Sequence, residues 1–208
     1  MRVVVIGAHP DDAEAAMGGT IAKHVARGDE VHIVLVTRGG VSGNPSARAK
    51  EAEIGAKILG VDHFHSLDYS VAKLNSPKNH EFVRVIKKTM EGIMPDRVYV
   101  HNPYDYHQVH VAISNSVVAA APSSIKQLIH YEFVSSTTPD FKPNAFVDIT
   151  SYMDIKLESV KAHKSQAHRI YMFPNVVVSM ANFRYVWGKV GRDPRGFAEA
   201  FCLNRFTT

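Results

Sequence analysis

Apolar residues in this chain fall into two kinds of block. Val3 to Ile6, Glu30 to Thr37 and Arg97 to His101 are short, nearly continuous apolar runs rich in β-branched residues, and the more polar Val61 to Leu67 reads as a further strand between helices. A continuous apolar run is how a strand buried on both faces of a parallel sheet reads. Between them, apolar residues recur at helical spacing. Met17, Ile21 and Val25 form one stripe within Ala13 to Arg27, and Gly28 stands where a helix stops. Ser46 reads as the N-cap of a helix over Ala47 to Leu59, ended by Gly60; Pro95 stops a helix over Asn79 to Met94, and Pro122 one over about His107 to Ala121. Leu128 to Phe133 and Ala145 to Ile149 predict a fifth and a sixth strand, and Thr150 caps a helix reaching about His163. Beyond that, the run Phe197 to Phe201 is too short to assign.

Strands that alternate with helices through short connections specify parallel pairing with crossovers. The fold class is therefore α/β: a doubly wound, Rossmann-like, mainly parallel sheet with helices on both faces, in a single domain over residues 1–208. In the usual doubly wound order strands 1 and 4 are neighbours and the chain leaves them in opposite directions, so a crevice opens between their carboxyl ends. The residues directly after these two strands are the ones to examine for chemistry.

After strand 1 come Gly7, Ala8, His9, Pro10, Asp11 and Asp12, with Pro10 suited to a helix's first turn. His9 and Asp12 lie three apart across a turn, so an imidazole and a carboxylate can converge on one point, with Asp11 between them. The loop after strand 4, from His101 to His110, holds three of the chain's 12 histidines. His107 and His110 are one turn apart, and either can complete a set of two histidines and one carboxylate with open positions for water and substrate. Asp11 and the non-ligating histidine then supply a base and an acid. No Gly-x-Gly-x-x-Gly loop, Gly-Lys-Ser/Thr loop or Gly-x-Ser-x-Gly elbow competes with this reading.

Composition narrows the picture further. A formal charge of +4, with Lys and Arg scattered, leaves no nucleic-acid or membrane-surface footprint. Cys202 is alone, which fits a reducing compartment. The first strand starts by residue 3 and no run of ~18 apolar residues is present, so the expectation is a cytoplasmic protein without a membrane segment.

At the same residues a resemblance emerges. Ala8-His9-Pro10-Asp11-Asp12 with Gly18-Gly19-Thr20 resembles the signature of the PIG-L/LmbE-like family of zinc-dependent N-acetyl-sugar deacetylases. Arg48-Ala49-Lys50-Glu51 with Leu59-Gly60-Val61 is similar to the second block of that family, His107-Gln108-Val109-His110 to its His-x-x-His block, and Ala162 to Gln166 with Ala198 to Phe201 to its carboxyl-terminal pieces. The resemblance implies Zn2+ held by His9, Asp12 and His110, Asp11 as the general base that activates water, His107 as the group that stabilises the oxyanion or protonates the amine, and Arg48 in substrate binding. It implies a small amino-sugar substrate of the N-acetylglucosamine type, or its conjugate, and a homo-oligomer. The family usually carries Asp where this chain has Val109, which bears on the orientation and charge of His107. The rival readings are a metal-dependent hydrolase of another amide or a phosphoester, and a metal-holding or sugar-binding module without turnover. Secondary candidates for the pocket are His163, Ser165, Gln166 and the aromatic run around Trp187; His101 reads as structural or as support for a ligand.

Overall fold

A computed structural model describes residues 1–39, 43–74, 80–122 and 124–206. One seven-stranded sheet runs in the order β3-β2-β1-β4-β5-β7-β6, formed by β1 (Arg2–Gly7), β2 (Glu30–Leu35), β3 (His63–Ser66), β4 (Arg97–His101), β5 (Gln127–Tyr131), β6 (Ala145–Asp148) and β7 (Ala198–Phe206). The first five strands pair in parallel, whereas β7 is antiparallel to both β5 and β6. The expected adjacency of β1 and β4 is present, with Val4 opposite Val98.

β1 explains why its sequence does not alternate. Val4 and Ile6 pack on one side of the sheet and Val3 and Val5 on the other, all at most 1% exposed. Both faces are covered, so both phases of the two-residue period must be apolar. The Val4 side is covered by α4 (His80–Ile93) and α5 (Gln108–Ala120), through Phe82, Ile86 and Met90 and through Val109, Ile113 and Val117. The Val3 side is covered by α1 (Asp12–Ala26) and α2 (Pro45–Ile58).

Several boundaries differ from the expectation for local reasons. The N-cap of α2 is Asn44, not Ser46: the Asn44 carboxamide oxygen accepts from the backbone of Ser46 and Ala47, with Pro45 at the first helical position. Pro10 precedes α1 rather than opening it, and Asp11 is the N-cap residue. A short helix, α3 (Val71–Leu74), lies between β3 and α4; residues 75–78 lie outside the described residues, as does the predicted helix start Asn79. The predicted helix from Thr150 opens with a tight 3-10 turn and continues as α6 (Met153–Lys161). The unassigned remainder contains α7 (Pro174–Trp187) and the nine-residue β7, whose hydrophobic pattern is diluted by Glu199, Asn204 and Arg205.

α1 is kinked at Met17 (φ −141°, ψ 26°). The kink frees backbone donors, and the Glu199 carboxylate on β7 accepts from Gly19 (3.0 Å) and Thr20 (2.7 Å) while Lys156 on α6 balances its charge. A Cβ on Gly19 would come 2.7 Å from Ile149, so glycine is needed for the close approach. The Gly18-Gly19-Thr20 motif and the Glu199 segment, far apart in sequence, are thus one structural unit.

Candidate metal centre and active site

β1 and β4 deliver the site. β1 ends at Gly7 and the chain turns through Ala8 to Pro10 into α1, while β4 ends at His101 and the following loop returns to α5. His9, Asp12 and His110 meet there. His9 Nδ1 is 3.4 Å from Asp12 Oδ2 and 3.3 Å from His110 Nε2, and His110 Nε2 is 3.6 Å from the same carboxylate oxygen. A point equidistant from these three atoms lies about 2 Å from each, the length of a Zn–N or Zn–O bond. Two imidazole nitrogens crowded against each other and an anion are explained if their lone pairs share a cation. The donors present therefore fit a divalent metal ion.

The groups behind these atoms fix their direction. His110 Nδ1 faces Asp105 Oδ2 (3.2 Å) and Ser136 Oγ (3.4 Å). A proton on Nδ1 donated to Asp105 leaves the Nε2 lone pair aimed at the convergence point. His101 Nε2 lies 2.9 Å from Asp12 Oδ2, and the His101 ring stacks on His110 with centroids 3.8 Å apart. His101 therefore holds the Asp12 carboxylate and the His110 ring in place. Asp12 is 1% exposed, and burial, which opposes its charge, is outweighed by the imidazoles of His110, His101 and His9, so its carboxyl is held well below the ordinary range. His9 is raised above its ordinary value: burial opposes the shift, but the carboxylates of Asp12 and Asp11 outweigh it. Burial and the neighbouring His101 lower His110.

Asp11 sits at φ 104°, a left-handed conformation that costs a non-glycine residue about 1–3 kcal/mol and is kept where the surroundings demand it. Its surroundings are visible. Tyr171 donates its hydroxyl to Asp11 Oδ2 (3.2 Å), and Arg48 Nη2 lies 3.4 Å from the same oxygen while donating to Pro10 O at 2.9 Å. Arg48 Nη1 donates to Gly39 O at 2.8 Å, and Gly39 (φ +65°) has no Cβ to collide with that guanidinium. Burial and then the charge of Asp12 push the Asp11 carboxyl up to about 7. Arg48 is itself buried, so much of its hydrogen-bonding capacity braces Pro10 and Asp11.

His107 is the residue before α5, with extended backbone, and its ring stacks on His110 (4.4 Å between centroids) and meets His9 edge-on (4.8 Å). Burial and the adjacent His110 and His9 push it down to about 4, so the ring is neutral near pH 7, well below the ordinary value of ~6.5. Asp105 holds the His107 backbone N–H (2.7 Å) and the His110 ring, rather than the His107 ring. Val109 is buried in the core between α5 and the sheet and borders the cleft.

The open cleft above these groups is lined by His9, Asp11, Asp12, Arg48, His107 and His110, and also by Phe133, Ser135, Gln166, Arg169 and Tyr171. Of the secondary candidates only Gln166 reaches it. His163 is buried beside Glu14 (3.5 Å), and Ser165 donates to Glu51. The aromatic run is elsewhere: Phe183 and Trp187 stack on each other at the surface and Arg184 is ion-paired with buried Glu132. Tyr171 and Arg169 come from the segment that had no readable pattern, so sequence reasoning had no signal for them. Residues 40–42, between β2 and α2, lie outside the described residues.

A doubly wound α/β sheet carrying two imidazoles and a buried carboxylate at its switch point defines a protein built around a candidate metal centre. The chain belongs to the PIG-L family, described as GlcNAc-PI de-N-acetylase, which matches residues 4–121. It is 33% identical over 189 residues to the diacetylchitobiose deacetylase of Thermococcus kodakarensis, covering 79% of this chain and 70% of that protein. It is also 26% identical over 195 residues to the 4-oxalmesaconate hydratase of Pseudomonas putida, covering 79% of this chain and 74% of the relative. Among solved structures, the conserved protein TT1542 from Thermus thermophilus superposes with a TM-score of 0.82 at 26% identity, over 99% of this chain and 95% of that one. Among the described residues, no helix is long and apolar enough to cross a membrane.

Proposed function

We propose that residues 1–208 form a single zinc-dependent deacetylase domain that removes the acetyl group from the nitrogen of an amino sugar of the N-acetylglucosamine type, or of its conjugate. The observation that carries the reading is the convergence of His9, Asp12 and His110 directly beside Asp11 in an open cleft. In this reading those three hold Zn2+, which when bound polarises the amide carbonyl and lowers the pKa of water. Asp11, held in place by Tyr171 and Arg48, takes the proton from the attacking water. The new C–O bond forms at the carbonyl carbon, and His107, neutral and facing the cleft, donates an N–H to the developing oxyanion. The proton on Asp11 passes to the departing nitrogen as the C–N bond breaks, giving acetate and a free amine. Arg48 borders the substrate, and the Phe133 and Tyr171 rings supply apolar faces for a sugar. The reading carries with it a cytoplasmic protein that acts as a homo-oligomer on a small molecule.

The test is a screen of N-acetylhexosamines, chitooligosaccharides and sugar nucleotides with zinc-loaded protein, following acetate and free amine together. Release of both in equal amounts supports the reading, and their absence across the panel removes it. The hydratase relative favours a second reading, in which the same site adds water to a small acid and Arg169, exposed on the cleft wall, meets its carboxylate. Uptake of water without release of an amine identifies that case.

A further inference from the structure

A second group of imidazoles lies away from the cleft, in a surface groove between α4 and the outer strands β2 and β3. In the parallel register His32 stands opposite His63, and residues two apart on a strand share a face, so Glu30, His32, His63 and His65 project to the same side. The rings of His63 and His65 are nearly parallel to that of His32, with centroids 4.4 Å and 5.3 Å from it. His32 Nδ1 lies 3.0 Å from His65 Nε2, and His32 Nε2 lies 2.9 Å from Glu30 Oε1. One potential ligand atom from each of Glu30, His32 and His63 falls within 4.8 Å of the others.

We propose that Glu30, His32 and His63 form a second, non-catalytic site for a divalent transition metal such as Zn2+, clipping the edge strand β3 onto β2. Two imidazole nitrogens and one carboxylate oxygen select metals of that class over Mg2+ or Ca2+, which take oxygen ligands. His65 has the supporting place that Asp105 has in the cleft. With a proton on His32 Nδ1 donated to His65, the His32 Nε2 lone pair faces Glu30. His32 is the buried anchor, at 7% exposure, while His63 and Glu30 are exposed and reach the metal by rotamer changes. The other charges nearby oppose a cation. Arg2 lies 3.7 Å from the second oxygen of Glu30, and Lys88 borders the groove, so this site binds more weakly than the cleft. The structural gain is at the edge: β3 has four residues and, among the described residues, a neighbouring strand on one side only, and a metal bridge to β2 holds it in register.

The site shares no residue with the cleft, and its test does not depend on the deacetylase reading. Untagged protein stripped with a chelator is titrated with Zn2+ by calorimetry. Two binding events are expected. His63→Ala should weaken the weaker event by roughly tenfold or more and leave the tighter one unchanged, and His110→Ala should do the reverse. Glu30→Gln, also at an exposed position, gives an independent variant with the same expected loss. Whether or not the cleft also binds, a wild-type protein with no event that His63→Ala and Glu30→Gln weaken overturns the proposal.

Discussion

Two histidine clusters on one sheet use the same side-chain types and differ in what surrounds them. In the cleft, Asp12, His101 and His110 are all at most 2% exposed, and each is held by a neighbour from another element. On the outer strands only His32 is buried, while His63 and Glu30 face solvent. The cause is position in the sheet. The carboxyl ends of β1 and β4 are central and the residues that follow them pack together, His9 against His107 and His110, so the side chains there are ordered by one another. Among the described residues no strand lies beyond β3, so a metal bound there would itself have to order His63 and Glu30, at an entropic cost of about 0.5–1.5 kcal/mol for each long side chain immobilised. Similar donors are therefore expected to give a tight functional centre in one place and a weaker clip in the other.

The largest effect that would break this contrast is loss of the cleft metal. Asp12→Ala should bring zinc content in the cleft to background and cut turnover by about a thousandfold or more, since a bound metal contributes several kcal/mol and each 1.4 kcal/mol is a factor of ten. Elemental analysis beside the outer-strand event in calorimetry checks it; cleft zinc retained in this variant puts the centre elsewhere. Next is Asp11→Asn, which should keep the metal and lose about a hundredfold or more in turnover, as for removal of a positioned base. Asparagine tolerates the left-handed backbone at this position, so a folded protein is expected. Metal lost together with activity would make Asp11 a ligand.

A smaller effect sharpens the comparison. Asp105→Asn should weaken zinc in the cleft by about 10–100-fold, because it releases the His110 ring without removing a ligand. Unchanged affinity would mean that Ser136 alone orients that ring.

The smallest effect concerns a histidine outside both clusters. His24 is buried against Tyr99 and Asp29, and burial lowers its pKa despite the Asp29 hydrogen bond. Between its lowered folded value and the unfolded ~6.5 the unfolded chain binds more protons, so stability rises with pH through that window and is lost on acidification. Urea midpoints of wild type and His24→Gln across that range should show a shallower pH slope in the variant. Equal slopes would assign the acid sensitivity to other groups.

The patterns of β1, β2, β4, α1, α4 and α5 were legible because each element buries a face whose period is written locally. The sequence alone also placed His9, Asp11, Asp12, His107 and His110 on the two loops that a doubly wound order brings together. It could not show that Asp105 serves His110 rather than the His107 ring, that Arg48 braces Pro10 and Asp11, or that Tyr171 donates to Asp11, since these contacts join residues up to 160 positions apart. Likewise α7 and β7 carry mixed patterns, because their polar residues are buried by partners supplied from elsewhere: Arg184 by Glu132, and Glu199 by Lys156 and the broken turn of α1. Local periodicity reports which face is buried, and only the folded chain decides which distant group satisfies a buried charge.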